Sequence, residues 1–354
     1  MPKFRFTEIA INSTEKKKPV EEDKFTYIGL EHLDSGTLTV SRWGSDIAPI
    51  GEKLVMKKGD VLFGKRRAYQ KKVGIAPFDG IFSAHGMVLR PREEVITKEY
   101  FPLFISSDYF LNEAIRISVG SLSPTVNWKD LKDLEFTIPS IEEQKRITPL
   151  IWAAIEAKNA YKEQIRCTDD LVKSQFIEMF ADEAKRVRLD ELCLHFGDGD
   201  WIESKDQSEE GIRLIQTGNV GNGEYKDKDD KARYISEETF IRLGCTEVFP
   251  GDILISRLPD PIGRACIVPE MPKSITAVDC TIVRLKADVL STFFVNFTKT
   301  PMYTMQIDSF TTGSTRKRIS RANLGSVMVP VPDLARQERF VSIAEQSDKS
   351  KFVV

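Results

Sequence analysis

The densest group of side chains that could bind a ligand is basic and lies near position 70. The segment 65–72 reads KRRAYQKK, with five cations and no acidic residue. Arginine can form two hydrogen bonds with a guanine edge, and glutamine can do so with adenine, whereas lysine is better suited to holding phosphates. The residues of this segment that we predict to contact DNA are Lys65, Arg66, Arg67, Tyr69, Gln70, Lys71 and Lys72.

Two further segments carry related chemistry. The loop 256–265 (SRLPDPIGRA) has two arginines, and its aspartate could accept a hydrogen bond from a cytosine amino group. A second basic run lies at 316–318. The DNA-contact candidates here are Arg257, Asp260, Arg264, Arg316, Lys317 and Arg318, and His85 is added as a weaker candidate. The alternative for every charged run is a solvated face, and for 316–318 a protein-docking surface is an equal alternative.

No catalytic motif accompanies these segments. The sequence lacks the Asn-Pro-Pro-aromatic or Asp-Pro-Pro-aromatic string that an amino-methyltransferase needs. It also lacks the GxxxxGK(S/T) loop that cradles nucleotide phosphates. The three histidines are too dispersed for a metal cluster. We therefore predict no catalytic residue, no metal and no cofactor on this chain.

The charge balance excludes a protein that coats nucleic acid through bulk basicity. Lys and Arg number 51 against 53 Asp and Glu, a net charge of -2, so DNA binding must depend on local patches. The five cysteines form no CxxC pair and are odd in number, which favours reduced thiols and a cytoplasmic location. We expect no membrane-spanning segment and no signal peptide.

The chain contains an internal duplication. The string KKGDVLF at 57–63 parallels FPGDILI at 249–255 with a shift of 192, and Gln144 parallels Gln337 with a shift of 193. Because the register agrees over the second half of each copy, we predict two homologous units rather than chance similarity of short strings.

A long helix is the clearest single element. Ser140 and Glu143 match a capping box directly after Pro139. Apolar residues then recur at close to the coiled-coil spacing, which predicts a helix over 141–180 of about 60 Å. The stripe residues predicted to contact a partner helix or another chain are Ile151, Ile155, Ile165, Val172 and Phe176.

A shorter helix ends the second copy. Asp333 can cap it, and apolar residues follow as far as Phe352. Val354 aligns with position 161, so the sequence holds no counterpart of 162–180. We expect this helix to return antiparallel to the long one, and the far half of the long helix to lack an internal partner.

These features resemble the specificity subunits of type I restriction-modification systems. The likeness rests on two target-recognition domains, each followed by a helix start of the form IP...EQ(K/R)I. The two helix starts are FTIPSIEEQKRI at 136–147 and VPVPDLARQERF at 329–340. The strings YIGLEHLDSG, KKGDVLFGKRRAYQKKVGIAP and GIRLIQTGNVG are also typical of such domains.

The resemblance implies a non-catalytic subunit that reads double-stranded DNA. In the family, the target has two short halves separated by an unread spacer, and the helices set that separation and dock two modification subunits. Those subunits carry S-adenosyl-methionine and methylate adenine, and a restriction subunit, with ATP and Mg, can join them. The short second helix departs from the family pattern and leaves room for self-association through the unpaired half of the first helix.

We therefore predict an α+β protein with two homologous α/β target-recognition domains separated by a long helix. That helix would pair antiparallel with a shorter C-terminal helix as a coiled-coil spacer. The predicted segments are recognition domains at 1–139 and 185–332 and spacer helices at 140–184 and 333–354. The alternatives are a scaffold or half-functional variant completed by another chain, and a helical protein-binding adaptor.

Overall fold

The chain folds into two compact units, residues 1–159 and residues 160–354. The structure is a computed structural model that describes residues 2–313 and 317–350. Both units mix helices and strands, so the predicted α+β class is confirmed. The helix α5 (Ile141–Phe180) begins in the first unit and ends in the second.

The first unit contains short strands and helices. Its strands are β1 (Lys3–Arg5), β2 (Ala10–Ser13), β3 (Lys16–Lys17), β4 (Tyr27–Ile28), β5 (Lys53–Met56), β6 (Val61–Phe63), β7 (Val73–Ile75), β8 (Gly80–Phe82), β9 (Met87–Pro91) and β10 (Glu135–Thr137). Its helices before α5 are α1 (Phe6–Ile9), α2 (Phe101–Ser106), α3 (Asp108–Arg116) and α4 (Trp128–Leu131).

The second unit repeats this pattern. Its strands are β11 (Arg186–Arg188), β12 (Cys193–Asp198), β13 (Ile212–Ile215), β14 (Tyr234–Ile235), β15 (Ile253–Ser256), β16 (Ala265–Ile267), β17 (Ser274–Thr276), β18 (Cys280–Leu285) and β19 (Met328–Pro330). Its helices after α5 are α6 (Glu237–Leu243), α7 (Ser291–Thr298), α8 (Pro301–Phe310), α9 (Arg321–Gly325) and α10 (Leu334–Ser350).

The predicted duplication is present in the strand order. The main sheet of the first unit runs β2-β9-β6-β7 and that of the second runs β12-β18-β15-β16, with all pairs antiparallel. Beside each main sheet, β4 pairs parallel with β8 and β13 pairs parallel with β17. The pairs β1-β10 and β11-β19 complete the match.

The central strands of each main sheet are buried on both faces. Val61 and Phe63 pack against the helices of the first unit, whereas Leu62 between them packs against the second sheet. In the second unit Ile253 and Leu254 divide in the same way between two apolar clusters. A strand covered on both sides is mostly apolar, which is why VLF at 61–63 and ILI at 253–255 read as continuous apolar runs.

A buried ion pair is repeated in the two sheets. Arg90 donates from two nitrogens to the Asp60 carboxylate at 2.7 and 2.8 Å, and Arg284 donates to Asp252 at 2.8 and 2.8 Å. Each aspartate also accepts the backbone N–H of the residue three positions before it. A carboxylate nearly excluded from water needs such partners, and this explains the Gly-Asp pair that both copies share.

The start of α5 is tied to the first unit by a buried side-chain amide. Gln144 is fully buried, and its Oε1 accepts the Thr97 N–H at 2.8 Å. Its Nε2 donates to the carbonyls of Val95 and Pro139, each at 2.9 Å. The amide thus joins the helix to the segment between β9 and α2.

The second copy makes the same three hydrogen bonds. Gln337 is fully buried and accepts the Leu290 N–H at 3.0 Å. It donates to the carbonyls of Asp288 and Pro332, each at 2.9 Å. The glutamine of the repeated helix start is therefore a structural residue in both copies.

Both predicted helix caps are present, but the capping box at the start of α5 is only half formed. Ser140 Oγ accepts the Glu143 N–H at 3.3 Å, while the Glu143 carboxylate pairs with Arg146 at 2.7 Å instead of returning to the cap. Asp333 accepts the Arg336 N–H at 2.9 Å and caps α10.

The apolar stripe of α5 is covered at both ends by the units themselves. Ile151 and Ile155 are half-buried against the core of the first unit. Val172 and Phe176 are 8% and 0% exposed in the core of the second. The prediction that these two contact another chain is therefore wrong, because the globule already buries them. Ile165 is 41% exposed, and its role stays a prediction.

The helix α10 packs antiparallel on the end of α5. Arg336 pairs with Glu183 at 2.6 Å, and the Phe340 ring lies 5.0 Å from that of Phe176 and 5.9 Å from that of Phe180. The antiparallel direction is confirmed. The expectation that the far half of α5 lacks an internal partner is wrong for 172–180, whereas 162–167 are exposed. The first turns of α10 and the core of the second unit supply that partner.

Replacing Gln144 by Glu should lower the free energy of unfolding by about 3 kcal/mol. The change keeps the shape but turns a donor into a buried carboxylate that faces two carbonyl oxygens. Gln164→Glu makes the same chemical change at an exposed position of α5 and should alter stability by less than about 0.5 kcal/mol. Urea unfolding followed by circular dichroism measures both, and equal values for the two variants would contradict this role of Gln144.

Candidate nucleic-acid interface

The basic segment of the first unit forms the loop between β6 and β7. A single 3-10 turn at Ala68–Gln70 lies at its centre, flanked by Arg67 and Lys71 with φ of 56° and 50°. Ala68 is 1% exposed and anchors the turn, whereas Tyr69 is 54% exposed. The two residues with left-handed backbone conformation reverse the direction of the chain, so the loop is an ordered turn.

Backbone hydrogen bonds join this loop to two other segments. Arg66 N donates to the carbonyl of His85 at 3.2 Å, and Arg67 N donates to that of Pro124 at 2.7 Å. Val126 N in turn donates to the carbonyl of Lys65 at 2.9 Å. The basic loop, the turn at His85 and the Gly-Ser loop at 120–126 therefore lie side by side.

The exposed side chains of this region form what we term the first loop surface. It consists of Arg66, Arg67, Tyr69 and His85, all exposed. The Arg67 side chain makes a long contact with Ser123 at 3.3 Å. The two guanidinium groups can each donate twice to a guanine edge, and the Tyr69 ring can pack on a sugar or base.

The other candidates of the segment are engaged within the unit. Lys71 pairs with Asp108 at 2.5 Å, and Lys72 donates to the carbonyl of Leu30 at 2.7 Å. Lys65 is half-buried, and burial with the nearby Lys16 lowers its pKa.

Gln70 is also half-buried. The predicted DNA contacts of these four side chains remain untested, and the structure gives Lys71 and Lys72 partners inside the unit.

The second unit places its loop in the same way. Arg257 N donates to the carbonyl of Asp279 at 2.9 Å, and Ile319 N donates to the carbonyl of Arg257 at 3.3 Å. The second of these bonds repeats the one between Val126 and Lys65 in the first unit. The loop 257–264 thus lies beside residues 318–319, as in the first copy.

Arg257 is a buried structural residue. Its side chain is 5% exposed, its Nη2 donates to the carbonyl of Val278 at 2.7 Å, and its Nε lies 3.5 Å from Asp198. The prediction that Arg257 contacts DNA is therefore wrong in this conformation, because the guanidinium is enclosed by the protein.

Arg264 is likewise committed to the protein. Its three guanidinium nitrogens donate to five backbone carbonyls at 2.7 to 3.0 Å, and burial lowers its pKa. The five acceptors are Thr217, Val220, Leu258, Pro259 and Pro261. The predicted DNA contact of Arg264 is therefore also corrected, since little donor capacity is left.

The remaining candidates of the second unit are exposed. Asp260, Lys317 and Arg318 are all open to solvent, and Arg318 lies 3.9 Å from Asp279. Asp260 has φ of 80° at the tip of its loop. Arg316 lies outside the residues that the structure describes.

Two lysines not singled out from the sequence share a groove with Asp260 and Arg318. Lys226 and Lys228 are exposed and line it together with Asp260, Asp279 and Arg318. In the sequence they alternate with Asp227 and Asp229, so the stretch reads as a mixed-charge solvated loop.

Exposed charged residues that line this groove, together with Lys317 next to Arg318, form what we term the second loop surface. Its members are Lys226, Lys228, Asp260, Lys317 and Arg318.

The described part of the chain offers no metal site and no membrane helix. Across residues 2–313 and 317–350, no three His, Cys, Asp or Glu side chains are grouped so as to hold a metal ion. None of the described helices combines the length and the apolar character needed to cross a bilayer.

A matched pair of variants separates the buried arginine from an exposed one. Arg257→Gln leaves the Val278 carbonyl and Asp198 short of a partner inside the unit and should cost about 2 kcal/mol of stability. Arg318→Gln removes an exposed charge and should cost less than about 0.5 kcal/mol. Thermal melting of both variants tests this, and an unchanged melting temperature for Arg257→Gln would show that the buried guanidinium is dispensable.

Comparison with known proteins gives one consistent result. The family described as "Type I restriction modification DNA specificity domain" matches residues 6–166 and 181–352. The "Type I restriction enzyme EcoDI specificity subunit" of Escherichia coli is 25% identical over 146 residues, 41% of this chain and 32% of that protein. The aligned stretch thus spans about a third of that relative's length.

Solved structures support the same fold. A chain from a study of complex assembly and conformational transition of the type I R-M system has a TM-score of 0.53 at 21% identity. The type I restriction-modification S subunit from M. genitalium has a TM-score of 0.52 at 15% identity. Each comparison covers 99% of this chain and 90% of the other, and at these identities the likeness shows the fold alone.

The family match also bears on catalysis. The matched family is described by DNA specificity, and the prediction of a non-catalytic chain agrees with it. Two copies of the family model cover most of the sequence in the positions of the two structural units. The chain therefore belongs to the family of type I restriction-modification DNA specificity domains.

Proposed function

We propose that this chain is the DNA-recognition subunit of a type I restriction-modification complex. It reads two unlike half-sites of a bipartite target, one with each unit, and docks the modification subunits that act on that target. The loops at the same position of the two units carry the reading side chains.

The observation that carries this proposal is the contrast between the two loop surfaces. The strand order of the main sheet, the buried Asp–Arg pair and the glutamine at the helix start are the same in both units. The exposed side chains at equivalent loops differ. A shared scaffold with different surface chemistry suits two different sequences, whereas a palindromic target would call for two matching surfaces.

The first loop surface suits a half-site that contains guanine. Arg66 and Arg67 are adjacent and exposed, and a guanidinium can donate twice to the O6 and N7 atoms of guanine. Tyr69 and His85 flank them and can pack on a sugar or donate to the backbone.

The second loop surface combines opposite charges. Asp260 at the loop tip can accept from a cytosine amino group, and its exposed position leaves the carboxylate available. Lys226 and Lys228 lie in the same groove and would hold DNA phosphates near that cytosine.

We assign the segments as follows from the sequence and the family. The recognition domains are 1–139 and 185–332, the spacer helix is 140–184, and 333–354 is the second helix. The helix α5, about 60 Å long at 1.5 Å per residue, is proposed as the spacer that sets the distance between the two half-sites.

The proposed partners supply the chemistry that this chain lacks. Modification subunits would bring S-adenosyl-methionine and methylate adenine within the target. A restriction subunit, where present, would bring ATP and Mg. The protein would act in the cytoplasm together with these partners.

The direct test is methylome sequencing of a host that carries this chain and its modification subunit. The proposal expects adenine methylation at a motif with two short specified halves and an unspecified spacer. Methylation at a continuous motif, or none although the subunits co-purify, would contradict it.

Replacing Arg66 and Arg67 by Ala should relax one half of that motif and leave the other intact. Each two-donor base contact is worth about 1–3 kcal/mol, so methylation should extend to sites altered in that half. Arg92→Ala is the matched control, because Arg92 is exposed directly after β9, at the end of that strand away from His85. Loss of specificity at both halves together would mean that the pair acts on folding or docking.

A further inference from the structure

One cation occupies the same position at the end of the recognition loop in both units. The carbonyls of Lys72 and Arg264 accept the N–H of Gly64 and Ser256, each at 2.9 Å. These bonds close the two loops at equivalent points, so Lys72 and Arg264 are structural counterparts.

The two cations also make an equivalent side-chain bond. Lys72 donates to the carbonyl of Leu30 at 2.7 Å, and Arg264 donates to that of Thr217 at 2.8 Å. Leu30 and Thr217 each begin a short 3-10 turn that follows the parallel strand, β4 or β13. In both units the cation thus ties the end of the loop to the neighbouring sheet.

Arg264 makes additional hydrogen bonds, which Lys72 does not, to the tip of its own loop. Its Nη1 donates to the carbonyls of Leu258, Pro259 and Pro261 at 3.0, 2.7 and 3.0 Å. Its Nε donates to the carbonyl of Val220 at 2.7 Å. One guanidinium therefore binds both the loop that carries Asp260 and the turn that borders the same groove.

The second loop depends on this side chain more than the first. Pro259 and Pro261 have no backbone N–H, so the tip has few donors with which to build its own turn. The first loop closes itself, because Gln70 N donates to the carbonyl of Arg67 and Lys71 N to that of Ala68, each at 2.9 Å. A lysine with one bond is enough there.

We propose that Arg264 is a positioning residue that holds the second loop surface in its reading shape. It fixes Asp260 relative to Lys226, Lys228 and Arg318 without contacting DNA. This inference rests on the proposed function for its effect on DNA, whereas its effect on the loop can be measured on the chain without DNA.

The test is Arg264→Lys, which keeps the charge and copies the residue of the first unit. A lysine can still bond the Thr217 carbonyl but cannot reach three loop carbonyls from a fork. Arg242→Lys is the matched control, because Arg242 is a half-exposed arginine of α6 that pairs with Asp206 at 2.7 Å. Thermal melting first confirms that both variants are folded at the assay temperature.

The first measurement is hydrogen exchange of the backbone amides in 257–264. Arg264→Lys should accelerate exchange about tenfold or more at Gly263, whose N–H donates to the Ser256 carbonyl within the loop at 2.8 Å, and Arg242→Lys should not. Unchanged exchange in Arg264→Lys would overturn the proposal whatever the chain binds.

The second measurement is the affinity of the assembled complex for the target motif identified by methylome sequencing and for single-base variants of each half. Arg264→Lys should reduce discrimination at the second half about tenfold, leave the first half unchanged and leave the salt dependence unchanged. If Arg264→Lys discriminates between bases of the second half as well as the parent does, despite faster exchange, the reading role is overturned. Failure of the parent complex to bind a bipartite target would overturn the proposed function, while the exchange result would still decide whether Arg264 orders the loop.

Discussion

The buried glutamine amide at each helix start is the constraint on which the rest of the architecture depends. In both units it bonds one N–H and two carbonyls of the segments that meet there. Three directional bonds inside a dry site define one orientation, so the helix leaves its unit in a fixed direction. Under the proposed function, this fixed direction is what would let each unit present its loops to its own half of a DNA target.

Within each unit, backbone bonds position the loops and leave the side chains free to differ. The segment around position 66 is bonded to the segments around 85 and 125, and the loop after β15 is held in the same manner. Because these backbone bonds fix each loop at equivalent points, most exposed side chains can differ between copies without loss of the fold. In the second unit the Arg264 side chain adds bonds to the loop tip. The result is a common frame that presents a pair of arginines on one unit and an aspartate among cations on the other.

The positions of the main elements could be predicted from the sequence, because they depend on patterns that can be recognised along the chain without knowledge of tertiary contacts. The period of the long helix and the caps at Ser140 and Asp333 concern neighbours along the chain, and the repeat is found by comparing the two halves of the sequence. Burial of a cation is different. Arg257 and Arg264 look like reading residues in a proline-rich loop, and only the folded unit shows that backbone carbonyls, several of them distant in sequence, bind their guanidinium groups.

The same limit explains the helix stripe. An apolar face of period near 3.6 needs a cover, but its period does not say whether a second helix or a globule supplies it. Val172 and Phe176 are covered by the second unit. Lys226 and Lys228 were missed for the related reason that their groove forms only when a segment near 220 meets the loop at 258–261.

We propose that two independent readers share one spacer. The most direct measurement is the methylome of a host that carries a chimera in which residues 185–332 come from another family member with a different target. The account predicts that one half of the methylated motif changes, while the other half and the spacer length stay the same. A change in both halves, or in the spacer, would show that the units do not read separately.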